Sequence, residues 1–145
     1  MESRILAEAI PIFPQNKNQV RVYPTVSREQ PRKDWRVYID DMLTAAAKIQ
    51  RFTQSITFDS LLADEMRMAA VEREIITIGE ATDKLMKVAP EIPQRYPSVA
   101  WNQMKGMRNR LVHGYYEVNW EIIWEVIEDD IPILIDQLQQ ILQPE

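Results

Sequence analysis

DWRVYIDDMLTAAAKIQRF, residues Asp34 to Phe52, decides the fold class. Trp35, Tyr38, Met42, Ala45, Ile49 and Phe52 recur at steps of three and four. Arg36, Asp40, Lys48 and Arg51 fall between them, the pattern of an amphipathic helix with one buried face. Asp34 stands where an N-cap is needed, because its carboxylate can accept from the free amides of the first turn. A second helical stretch runs from about Asp59 to Ala89, with a break near Asp64 and with Met68, Val71, Ile75, Ile78 and Leu85 on one side. Pro90 and Pro93 end it. Gly79 inside this stretch costs about 1 kcal/mol relative to alanine, which predicts a close backbone approach there and a specific neighbour for Glu80.

A third helix is expected over 98–114, with Ser98 as N-cap and Gly114 as C-terminal cap. The last begins at Asn119 and alternates Trp120, Trp124, Ile127, Ile131, Leu134, Leu138 and Ile141, while Pro132 must kink or split it. Ile122, Ile123, Val126, Ile133 and Ile135 widen its apolar stripe beyond what one side of a bundle needs, so a subunit interface is expected. The fold class is therefore all-α, a four-to-five-helix antiparallel bundle over 34–145. Residues 1–33, broken by Pro11, Pro14, Pro24 and Pro31, read as an irregular N-terminal arm.

Composition excludes several classes. With no cysteine there is no disulfide framework, thiolate metal site or cysteine nucleophile. No apolar run reaches the ~18 residues of a membrane span, and the start, MESRILAEAIPIFP, lacks the basic leader of a secretory signal, so the expected address is the cytoplasm. The net charge of -5 is unevenly spread. Between Trp101 and Tyr116 stand Lys105, Arg108 and Arg110 with no acid, whereas from Glu117 onward there are eight acids and no base. Such a chain cannot coat nucleic acid through bulk charge; any phosphate contact is local or shared between subunits.

The positive segment also holds the one histidine of the chain, in RNRLVHGYY, residues Arg108 to Tyr116. A histidine in a last helical turn before a glycine cap gains from the helix dipole and needs no catalytic role. The alternative is a catalytic set. Asn109 lies one turn before His113, where its amide can orient the ring. Arg108 points roughly 140° away on an ideal helix, so its side chain reaches His113 only by curling round or across a cleft made with another helix or subunit. A neutral imidazole can take the proton of a ribose 2′-hydroxyl and a guanidinium can stabilise the attacked phosphate, with Arg110 adding positive charge. That chemistry needs neither metal nor cofactor, leaves a 2′,3′-cyclic phosphate and a 5′-hydroxyl, and spares DNA.

The order Arg108, Asn109, His113, Gly114, Tyr115 resembles the R-x4-H-x-Y signature of HepT-like toxins in the HEPN superfamily. The likeness extends through DWRVYIDDML, EREIITIGEA, YPSVAWNQMKGMRNRLVHGYY and IIWEVIEDDIPIL, about 110 residues in matching order. The resemblance implies a helical homodimer with the motif near its interface and a metal-independent ribonuclease acting on RNA. It also implies a toxin paired with a small MntA-like nucleotidyltransferase antitoxin, which attaches AMP to the tyrosine two residues past the histidine, here Tyr115. Added phosphate beside His113 would repel RNA and fill the cleft. Nothing in the resemblance reaches residues 1–33.

Other readings stand beside this one. Glu72, Glu80 and Asp83 could hold a metal, although acids at helical spacing more often form a solvated face, and Glu80 is better placed to hold a basic residue of the motif. Trp35, Trp120 and Trp124 fit core stripes rather than a base-stacking platform, and Trp101 is open between the two. A non-catalytic helical partner that presents nucleotide or substrate to a nucleotidyltransferase would share the same fold. A purely structural dimerisation bundle would explain the last helix but leave the positive patch unused.

Overall fold

The computed structural model describes residues 34–114 and 118–144, all organised by helices. α1 spans Trp35–Thr53, α2 Phe58–Leu62, α3 Glu65–Val88, α4 Glu91–Arg95 and α5 Trp101–His113. α6, Trp120–Glu125, passes through a π-helical turn at Val126–Asp130 into α7, Ile131–Leu142. The arm predicted over 1–33 lies outside the described residues.

α1 starts where its cap allows: the Asp34 side chain accepts from the Arg36 amide at 3.0 Å. Its apolar stripe buries Ile39, Met42, Ala45, Ala46 and Ile49. α2 is one short turn fixed by a reciprocal cap, in which the Thr57 hydroxyl accepts from the Ser60 amide and the Ser60 hydroxyl accepts from the Thr57 amide. The break expected near Asp64 is real, because Asp64 caps α3 by accepting from the Arg67 amide at 3.0 Å. Arg67 then donates to the Phe52 carbonyl at 2.8 Å, and the Thr82 hydroxyl sits 3.7 Å from the Met42 sulfur. The start of α3 therefore meets the end of α1 and its later part meets the middle of α1, so the two helices run antiparallel.

α3 ends at Val88, as Pro90 requires. Pro93 does not keep the next segment unfolded, however. It sits in the first turn of α4, where its missing amide has no helical partner to lose, and α4 buries Ile92. α5 starts later than an N-cap at Ser98 implies: Trp101 is its first residue, and Ala100 caps it without a side-chain bond. What fixes this end is Trp101, 5% exposed, whose indole nitrogen donates to the Tyr96 carbonyl at 2.9 Å. That bond and that burial assign the fourth tryptophan to the core. Ser98 instead offers its carbonyl to Gln137 of α7 at 3.2 Å.

The C-terminal rod is capped by Asn119, whose side chain accepts from the amides of Glu121 and Ile122. Pro132 is accommodated by the π turn before it. The Ile131 amide bonds to the Val126 carbonyl five residues back, and the proline then stands in the first turn of α7. Ile123, Ile127, Ile131, Leu134, Leu138 and Ile141 are buried, while Ile122 and Ile133 are 43% and 58% exposed. Of the residues expected to widen the stripe, Ile122 and Ile133 remain outside the bundle, whereas Ile123 is buried and Val126 and Ile135 pack against the core. Among the described residues no helix is long and apolar enough to cross a membrane.

Candidate nuclease site

The site is built on the seam between α3 and α5. Arg108 of α5 lies against Gly79 of α3. A Cβ built at position 79 would collide with the Arg108 Cβ, and it would fall 2.9 Å from the Arg108 Cγ and from the Met104 carbonyl oxygen. The glycine that weakens α3 as a helix is thus what allows the motif helix to seat. One residue on, Glu80 Oε1 lies 3.8 Å from the Arg108 guanidinium. One turn further along α3, Asp83 binds Lys105 at 3.2 Å, one turn before Arg108 on α5. The pairs 80 with 108 and 83 with 105 make α3 and α5 antiparallel, with two polar rungs between them.

Asp83 carries a second cation, Lys87, at 3.0 Å on its other oxygen. The Lys87 hydrogen bond lowers the Asp83 pKa below its ordinary 3.8; partial burial opposes this and the Lys105 bond adds to it. Among the described residues no cluster of three metal-ligating side chains exists, and two of the carboxylates weighed as metal ligands, Glu80 and Asp83, are turned to cations instead.

Asn109 takes a different part from the one its spacing suggests. Its side-chain oxygen accepts from Arg108 at 3.0 Å, so it braces the guanidinium rather than the imidazole. The adjacent guanidinium offers a charge-assisted bond within immediate reach of the amide oxygen. His113 is exposed in the last turn of α5, beside Arg110, also exposed. Gly114 closes the helix by donating to the Arg110 carbonyl at 2.7 Å with φ of -117°, an ordinary backbone angle rather than the left-handed one. Tyr115 lies outside the described residues.

Arg108 is turned inward to α3 while His113 faces solvent, as their angular separation on one helix requires. A groove of about 400 Å³ between α3, α5 and the C-terminal rod, lined by Ile78, Met104, Met107 and Ile133 among others, is mainly apolar and contains neither residue. The sequence missed the Asp83 bridge. Its one legible part was the four-residue spacing of Asp83 and Lys87, while the Lys105 rung depends on how two helices pack.

The bundle presents the R-x4-H spacing on half-exposed α5, with Glu80 of the neighbouring helix facing the arginine, the arrangement expected of the HEPN-like class that the motif resembles. Comparison with known proteins gives the same class: the ribonuclease HepT-like family profile matches residues 42–141. A putative RNase of Methanocaldococcus jannaschii is 34% identical, over 78% of this chain and 91% of that protein. A putative RNase of Caldanaerobacter subterraneus subsp. tengcongensis is 34% identical over 76% and 96%. A probable ribonuclease HepT of Thermococcus cleftensis is 30% identical over 72% and 92%. No solved structure matches. The chain belongs to the HepT-like ribonuclease family.

Proposed function

We propose that this protein is a metal-independent RNA endonuclease, the cytoplasmic toxin of a toxin-antitoxin pair, active as a homodimer. The observation that carries the reading is the placement of an exposed His113 and a carboxylate-braced Arg108 on one helix of a chain in this family. His113 takes the proton of a ribose 2′-hydroxyl, whose oxygen then attacks the adjacent phosphorus. The bond to the 5′-oxygen breaks, and the imidazolium returns its proton to that leaving oxygen. The products are a 2′,3′-cyclic phosphate and a 5′-hydroxyl. General acid–base catalysis of this kind contributes about 10²- to 10⁴-fold. The Arg108 guanidinium stabilises the charge on the phosphate; its 3.8 Å ion pair with Glu80 is loose enough to yield a donor to the substrate while holding the side chain in place.

Because Arg108 and His113 diverge on one helix, a dimer supplies the cleft that unites them, His113 of one protomer acting with Arg108 of its partner. The surplus apolar surface at Ile122 and Ile133 suits such a pairing. Inhibition follows from AMP attached to Tyr115 by a nucleotidyltransferase antitoxin, which sets negative phosphate two residues from the imidazole. The experiment is cleavage of RNA with analysis of the ends in EDTA. Cyclic phosphate ends formed at an unchanged rate are expected. Inhibition reversed by magnesium would contradict the mechanism, and mass spectrometry locating AMP on a residue other than Tyr115 would contradict the switch.

A further inference from the structure

Catalysis by Arg108 and His113 leaves the Lys105–Asp83–Lys87 bridge without a task. Its geometry is specific. Two ammonium groups from different helices sit on the two oxygens of one carboxylate, at 3.0 and 3.2 Å, and their side chains remain 72% and 42% exposed for Lys87 and Lys105. The carboxylate aligns them but cancels only one of the two charges, so a net positive charge faces solvent. Lys105 lies one turn before Arg108, with Cβ atoms about 5–6 Å apart, a step comparable to that between successive phosphates of a single strand. The seam as a whole holds three cations, Lys87, Lys105 and Arg108, against Glu80 and Asp83. On a chain of net charge -5 with an acidic C-terminal rod, such a local excess has one obvious class of ligand, a polyanion.

We propose that Lys105 and Lys87, aligned by Asp83, form a phosphate subsite for the RNA backbone next to the scissile phosphodiester. This rests on the nuclease reading for its substrate. Arg108 holds the reacting phosphate, Lys105 the neighbouring one and Lys87 the flank beyond it, so that the strand runs along the α3–α5 seam. A lysine suits this role because it meets phosphate as a mobile point charge, whereas the reacting phosphate gains from the fixed fork of an arginine.

The test is binding of a fluorescent 2′-O-methyl oligoribonucleotide, whose capped hydroxyl prevents cleavage, at several salt concentrations. K105Q and K87Q are each expected to weaken binding about three- to tenfold and to flatten the slope of log Kd against log salt by about 0.7 for each phosphate left unneutralised. K105R should keep the wild-type slope. K84Q, which removes the exposed neighbour of Asp83 outside the bridge, should leave it unchanged. Unaltered slopes in K105Q and K87Q, an equal flattening in K84Q, or no salt-dependent binding by the wild type would overturn the subsite. Failure of the nuclease reading is a separate observation: wild-type protein that binds this probe yet leaves unmodified RNA intact.

Discussion

α1 and α5 are both amphipathic helices of one bundle, yet they are held by different forces. α1 is fixed by burial: Ile39, Met42 and Ile49 are fully buried, each contributing about 1.5–3 kcal/mol relative to exposure. α5 buries only Trp101 and Leu111. Between them it rests on a missing Cβ at Gly79 and on two ion-pair rungs, each worth less than about 1 kcal/mol at such exposure. α5 is thus anchored near its ends by Trp101 and Leu111, with Met104 and Met107 half-buried against the core, and the bare Gly79 lets it seat closely on α3.

This contrast can be broken in graded steps. The largest effect is expected in the core: Leu138→Ala, at a fully buried position of α7, should lower stability by about 2–5 kcal/mol in urea unfolding, with the remaining folded protein still active. Gly79→Ala should cost about 1–3 kcal/mol, since α5 must move to admit the Cβ. Here RNA cleavage should fall well beyond the loss of folded protein, because Arg108 moves with the helix; full activity in G79A would show that the seam does not position the arginine. Asn119→Ala should cost about 1 kcal/mol by removing the cap of α6, with no effect on the seam.

The smallest step is at Asp83. Its carboxyl is held below the ordinary 3.8 in the folded state, so its contribution is present above that value and lost as pH falls through the lowered pKa. Asp83→Asn should therefore cost under about 1 kcal/mol at neutral pH and reduce the acid-induced loss of stability. An unchanged acid profile would mean that the bridge contributes nothing to the fold.

Much of the fold was legible because helical periodicity and caps are local. Asp34, Asp64 and Asn119 mark their helices by chemistry acting within three residues, and Gly79 signalled a close approach by its own cost. Ser98 failed as a cap because the start of α5 is set by the burial of Trp101 and its bond to Tyr96, a decision of tertiary packing. Of the candidate site, Arg108 and His113 could be named from spacing, and so could Glu80 as the partner of a basic residue. The Asn109–Arg108 bond and the Lys105–Asp83 rung could not, since the first depends on the rotamers of two sequence neighbours and the second on which side chains two packed helices bring within reach.

In the proposed mechanism the exposed imidazole at the end of α5 does the chemistry while contributing nothing to the packing. The direct measurement is single-turnover RNA cleavage by His113→Ala alongside its urea unfolding curve. A rate lowered at least about 10²-fold with an unchanged unfolding midpoint is the expected result. Cleavage at the wild-type rate by the folded variant would contradict it.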